Sequence, residues 1–328
     1  MRSLSLQLLA ISFLLAGSAA HSQSGQTQGD FPAKAIRLIA PVPPGSPPDV
    51  VARVFSESLG RAFGHPVIVD NRPGANQTIG LGAVVNSRPD GYTLGMISLP
   101  TAVVPNIMAK MPYDTLRDFA PVRELAWTSN VLVVRGDSGI GSVADLIAAA
   151  KAAAGKMTFA SGGNGTPAHV MGELFRQQTG LEVLHVPFKG TVEGVSAVMA
   201  GHVDFMLASA GVVVPHVRFG KLKALAQSTQ TRLPLLPDVA TFSELGFAGL
   251  TVRDWQGIVA PAGTPQAVLD RLSNAIGDAI ARPELQERLR ALGMEPVQTS
   301  DPREFSAFFD SEVKRWAAIA RASGLQAQ

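Results

Sequence analysis

Short β-branched and apolar runs alternate along the chain with stretches of helical period. Ile36 to Ala40, Pro66 to Val69, Tyr92 to Ile97, Val131 to Val134, Met157 to Ala160 and Val183 to Val186 are too short for helices and are predicted as buried strands. Between them, helices are predicted from the Val50, Val51 and Val54 face onward, over Thr78 to Asn86, Val143 to Ala154, Pro167 to Gln178 and Val192 to Ala200. Further strands follow near Phe205 and at Leu222 to Ala226. Trp255 to Val259 is a strand that returns the chain to its first part, completed by helices Pro265 to Ala281, Glu284 to Leu292 and Arg303 to Ala322. Strands alternating with helices predict an α/β fold with largely parallel sheets. Because the cycle restarts at Val131, we expect two lobes, residues 31–128 with 253–328 and residues 129–252, joined by two crossings that leave a hinged cleft. Val131 to Val134 is the expected first crossing, and Trp255 the hinge or cleft wall at the second.

The stretch IRLIAPVPPGSPPDVVAR, residues 36–53, carries the first candidate chemistry. A strand runs into a turn holding prolines 41, 43, 44, 47 and 48, none of which has an amide hydrogen. Backbone donors are thereby confined to Val42, Gly45, Ser46 and the first helical residues. Ser46 is the expected N-cap, with Pro47 at the first helical position and Asp49 where a capping-box acid sits. A helix start reached from a strand by a short loop presents N–H groups and a positive dipole end to an anion.

Met1 to Ala20 has one basic residue, Arg2, an apolar run from Leu8 to Ala16 and a small-residue exit, the layout of a secretory signal peptide ending between Ala20 and Ser22. The run is shorter than the roughly 20 residues a membrane span needs. Residues 1–22 are therefore read as the signal and 23–30 as a disordered polar leader, with the mature chain in solution outside the cytoplasm. No cysteine is present, which excludes disulfides, thiolate metal sites and a cysteine nucleophile. The 28 basic and 26 acidic residues nearly balance, so there is no basic field for nucleic acid.

Several segments bear a collinear resemblance to one family: VIVDNRPGANQTIG at 67–80, PDGYTL at 89–94, MPYDTLRDFAPV at 111–122, FASGGNGTPAHVMGELF at 159–175, HVPFKG at 185–190, GKLKALA at 220–226 and APAGTP at 260–265. Together with residues 36–53, they resemble the Bug-type extracytoplasmic solute receptors of tripartite tricarboxylate transporters. The resemblance implies a two-lobed, type II-like periplasmic binding fold that closes on a small carboxylate-bearing solute, held by backbone groups of the loop after the first strand and of the Gly-rich loop in the second lobe. Those loops correspond here to Pro44, Gly45, Ser46 and Asp49, and to Ser161, Gly162, Gly163, Asn164, Gly165 and Thr166. Val42, Ser98, His169, Ala208 and Ser209 complete the expected ligand-binding set. It also implies a non-enzymatic receptor without metal or cofactor, acting as a monomer with membrane transporter subunits or, alternatively, with a sensor protein.

Three departures from the family pattern stand out: Gly45-Ser46-Pro47-Pro48 in the first loop, Val104 and Met108 before the PYD motif, and Ala208 where an acid is frequent. The last predicts a less polar solute, such as an aromatic or long-chain carboxylate. Gly163 to Ala168 also satisfies G-x-G-x-x-A, but the acid that a dinucleotide site needs after the next strand is missing. Gly136-Asp137-Ser138-Gly139 has the letters of a protease nucleophile segment and is read as turn chemistry, with Ser142 and Asp145 capping the next helix. The six histidines show no close metal-ligand spacing, and His169 is expected to brace the Gly-rich loop. A single helix start contributes at most about 2 kcal/mol to an anion, against about 8 kcal/mol for micromolar binding, so two facing loops and exclusion of water are required. A secreted hydrolase would need a Ser, His and acid set that this sequence does not assemble.

Overall fold

The computed structural model describes residues 31–323, so the expected signal peptide and leader lie outside the described residues. Strands follow in the order β1 (Ile36–Ala40), β2 (Val67–Asn71), β3 (Thr93–Ser98), β4 (Phe119–Thr128), β5 (Asn130–Arg135), β6 (Thr158–Ser161), β7 (Leu184–Pro187), β8 (Phe205–Ser209), β9 (Leu222–Gln227), β10 (Asp254–Pro261) and β11 (Met294–Pro296). They form two sheets, one ordered β11-β4-β10-β3-β1-β2 and the other β7-β6-β8-β5-β9. This is the two-lobed α/β architecture, with the chain passing twice between the lobes.

Each sheet is mixed, which corrects the expectation of largely parallel pairing. β1 pairs parallel with β2 and β3, and β6 with β7 and β8, while β10 is antiparallel to β3 and β4, and β5 to β8 and β9. β4, β5, β9 and β10, which flank the crossings between lobes, all pair antiparallel, as does the short β11 with β4. β4 runs into β5 with Ser129 alone between them, so the chain enters the second sheet against the βαβ direction. Ten-residue β4 has no counterpart in the hydrophobic pattern because Pro121, Arg123 and Glu124 interrupt it. The two charged side chains find partners far along the chain, Arg123 at the Ser273 carbonyl at 3.2 Å and Glu124 at Arg253 at 2.6 Å.

The expected hinge is displaced. Val131 to Val134 are fully buried within β5, between β8 and β9 of the second sheet, and make no crossing. Trp255 is neither hinge nor cleft wall: it lies in the first lobe's core with Phe305, Phe308 and Phe309 edge-on to its ring. Its indole N–H and that of Trp316 both donate to the same oxygen of Glu312, at 2.9 and 3.1 Å. The crossings are instead at Thr128 to Asn130 and at Val252 to Asp254. They are tied together by Ser228, whose Oγ accepts from the Asn130 N–H at 2.9 Å and donates to the Val252 carbonyl at 3.1 Å. Ser142 caps the helix Val143–Ala152 as expected, accepting from the Asp145 N–H.

Behind the crossings, two backbones meet without side chains between them. A β-carbon on Gly211, in the helix Ala210–Arg218, would stand 2.1 Å from the Leu292 carbonyl oxygen, and Gly293 beside it has φ 74. Thr128 Oγ1 donates to the Gly293 carbonyl at 3.1 Å, so this contact adjoins the first crossing. A methyl there must push one backbone off the other. Gly211→Ala is therefore expected to destabilise the protein by about 1–3 kcal/mol in urea unfolding, whereas Gly82→Ala, in open space, should not.

Candidate ligand-binding cleft

Between the sheets lies a cavity of about 70 Å³ that widens into an adjoining pocket of about 170 Å³. Its walls come from both lobes. The first supplies Val42, Pro43, Ser46, Pro47, Pro48, Gln77, Ser98, Pro100 and Asp254; the second supplies Asn130, Gly162, Thr166, Pro167, Ala168, Lys189, Gly190, Thr191, Ala208 and Ser209. A larger hollow of about 1130 Å³ lies elsewhere, over β4 and the helices Gln266–Ile280 and Pro302–Ser323, and is open and rimmed by Asp270, Asp301, Arg303 and Asp310.

The first loop is a closed hydrogen-bonded unit. Asp49 is almost fully buried, and its carboxylate accepts from the Gly45 N–H at 2.8 Å, from Arg53 and from Asn71 Nδ2 at 2.8 Å. Burial alone would raise its pKa, but these donors outweigh burial and hold it below the usual carboxylate range. Asn71 Nδ2 also reaches the Val42 carbonyl. The expectation of free donors is thereby corrected: the Gly45 N–H is spent on Asp49, and the Ser46 N–H on Pro43 O at 3.3 Å. Ser46 is the N-cap of the helix Pro47–Phe63 but makes no side-chain cap bond, and Asp49 bonds Gly45 in place of a capping-box partner. Pro44, Gly45 and Asp49 stand behind the cavity wall, while Val42 and Ser46 form part of it.

The Gly-rich loop is tied in the same way. Ser161 Oγ accepts from the Gly163 N–H at 3.0 Å and lies 2.6 Å from His185 Nε2; Thr166 Oγ1 donates to the Gly163 carbonyl; and the Gly165 N–H donates to His169 Nδ1 at 3.1 Å. The two imidazoles lie 4.3 Å apart. Burial pushes both down in pKa, His185 to about 4 with His169 beside it, so both are neutral at pH 7. His169 thus braces the loop through Gly165. Gly162 and Thr166 line the cavity and Gly163 and Asn164 the adjoining pocket, while Ser161, Gly165 and His169 line neither. Gly165, at φ 77, lies so close to the first lobe that a β-carbon would stand 2.8 Å from Ile107 Cδ1.

The floor carries chemistry that the motifs did not reveal. Asp254 begins β10 opposite Thr128, and Asn130 begins β5 opposite Ser209. Burial pushes the Asp254 carboxyl up to about 7. Its Oδ1, Asn130 Nδ2 and the Gln77 Oε1 are all buried and have no hydrogen-bond partner. Gln77 ends a run of three non-glycine residues at positive φ: Ala75 at 44, Asn76 at 53 and Gln77 at 75. Such strain is costly, of order 1–3 kcal/mol per residue. Ala208 and Ser209 line the cavity, whose surface is mostly apolar, and Asp254, Asn130 and Gln77 add a few buried polar atoms to it. The usable sign was a lone acid heading the apolar run Trp255 to Val259.

Comparison with known proteins fits this geometry. Residues 51–325 match the model of the tripartite tricarboxylate transporter family receptor. The chain belongs to that receptor family. Protein BugT of Bordetella pertussis is 35% identical over 296 residues, covering 90% of each chain. Among solved structures, the periplasmic binding protein BugD matches with TM-score 0.86 and 30% identity over 91% of this chain and all of that one. An R. palustris structure with adipate matches with TM-score 0.87 and 27% identity over the same shares. In this tricarboxylate-transporter receptor, no described helix is long and apolar enough to cross a membrane. No cluster of three or more His, Asp or Glu suited to a metal occurs among the described residues.

The histidine pair has a pH signature. The folded pKa of His185, about 4, lies below the ordinary value of 6.5, so the unfolded chain takes up the proton first as pH falls. The contribution of the neutral ring is complete above pH 6.5 and drains away down to about 4. Asp254 and Glu124, both raised to about 7, act in the opposite sense at overlapping pH. The quantity to follow in urea unfolding is therefore the difference between wild type and His185→Gln. Wild type is expected to lose stability relative to the variant across that window; a difference independent of pH would show that the ring titrates normally.

Proposed function

We propose that this receptor captures a small carboxylate-bearing solute in the periplasm and hands it to the membrane subunits of a tripartite transporter. The observation that carries the reading is the convergence of two helix starts on one cavity. Ser46, Pro47 and Pro48 open the helix Pro47–Phe63 from the first lobe, and Thr166, Pro167 and Ala168 open the helix Pro167–Thr179 from the second. Both positive dipole ends face the same volume, which favours an anion there. Lys189 on the same wall is the cavity's cationic side chain. The adipate in the R. palustris relative supports a carboxylate as the anion.

On this reading the lobes are residues 31–128 with 253–328 and residues 129–252, and the ligand contacts fall on Val42, Ser46, Ser98, Gly162, Thr166, Ala208 and Ser209. Pro44, Gly45, Asp49, Ser161, Gly165 and His169 hold those contacts in place, and Gly163 and Asn164 border the pocket beside them. The receptor acts without catalysis or cofactor, as a monomer, after removal of a signal peptide between Ala20 and Ser22.

Thermal melting of the mature protein against mono-, di- and tricarboxylates tests the assignment. A ligand at 100 times its dissociation constant adds about 2.7 kcal/mol of stability. A shift confined to carboxylates is the expected result. Shifts with uncharged amides alone would overturn it.

A further inference from the structure

We propose that Asp254 is a specificity-determining residue of the cleft and that it selects a solute bearing a protonated amine in addition to its carboxylate. The inference rests on the carboxylate-receptor reading and names the second group of the solute. Asp254 is only 4% exposed, lines the cavity, and leaves Oδ1 without a partner. Desolvating a carboxylate is expensive unless a cation accompanies it. Among the described residues Asp254 forms no ion pair, and Arg253, its neighbour in sequence, is turned to Glu124, at 2.6 Å. Lys189, on the opposite lobe's wall, is exposed.

A second acceptor faces the same cavity. Gln77 Oε1 is buried and unpartnered, at the end of a strained left-handed run that no glycine relieves. Strain retained at a cavity wall is a mark of function, since the surrounding fold must hold it in place. Two buried acceptors from separate elements call for a donor on the solute, and an ammonium supplies three N–H groups and the missing charge together. Burial raises the Asp254 pKa to about 7, as expected for a carboxyl waiting for its counter-ion. Asn130 Nδ2, the unpartnered donor beside them, suits an oxygen of the same solute.

The test is calorimetric titration with matched pairs that differ only in the amine: aspartate and succinate, 4-aminobutanoate and butanoate, β-alanine and propionate. At about pH 8 aliphatic amines remain protonated. The amino member of at least one pair is expected to bind about ten-fold or more tighter than its partner, a preference that Asp254→Asn abolishes. Equal binding within every pair, or tighter binding of the des-amino member, overturns the Asp254 assignment while upholding the carboxylate reading. Binding by neither member of any pair overturns the Asp254 assignment, while the melting comparison against the wider carboxylate panel decides the carboxylate reading. An amine preference that survives in Asp254→Asn also overturns the assignment. Should that variant fail to fold, Asp254→Ser provides the same comparison, and the wild-type ratios must still show the preference.

Discussion

The hydroxyl of Ser228 joins the two places where the chain passes from one lobe to the other. It accepts the N–H of Asn130 and donates to the carbonyl of Val252, while the Ser228 N–H returns to the Asn130 carbonyl. A hydrogen bond of this kind contributes about 1 kcal/mol net, but leaving its buried partners unpaired costs more. Neither crossing can therefore shift without the other. The cavity floor inherits this constraint, since Asn130 and Asp254 are the first residues of the strands that leave the tie.

Above the floor, the two loops owe their shape to groups that never reach the cavity. A buried carboxylate organises one, through Gly45, Arg53 and Asn71; a pair of neutral imidazoles organises the other, through Ser161 and Gly165. Ordering a loop before a ligand arrives removes an entropic cost from binding. The prolines at 43, 44, 47 and 48 contribute in the same direction, by narrowing the backbone states open to the first loop.

The sequence displays β1, the helix Pro47–Phe63 and most of the βαβ cycle because each is a local event, a run of one period ended by proline, glycine or a cap. What it hides is non-local. Arg123 and Glu124 look like surface residues until Ser273 and Arg253 are placed beside them, so β4 escapes notice, and with it the antiparallel half of the first sheet. Trp255 reads as a cleft aromatic only while Glu312, 57 residues on, is unknown to be its partner. For the same reason, the loops of the candidate site were legible and its floor was not: a motif records neighbours in sequence, and Asp254, Asn130 and Gln77 meet only in three dimensions.

The spent donors of the first loop bear on how such receptors diverge. Because Asp49, Gly45 and Asn71 satisfy one another, the frame makes no demand on the identity of the solute. Asp254 Oδ1, Asn130 Nδ2 and Gln77 Oε1 at the cavity, by contrast, make no hydrogen bond within the protein. Selectivity can then drift by single substitutions at the floor while the scaffold is kept, which gives a lineage of receptors many cargoes for one architecture.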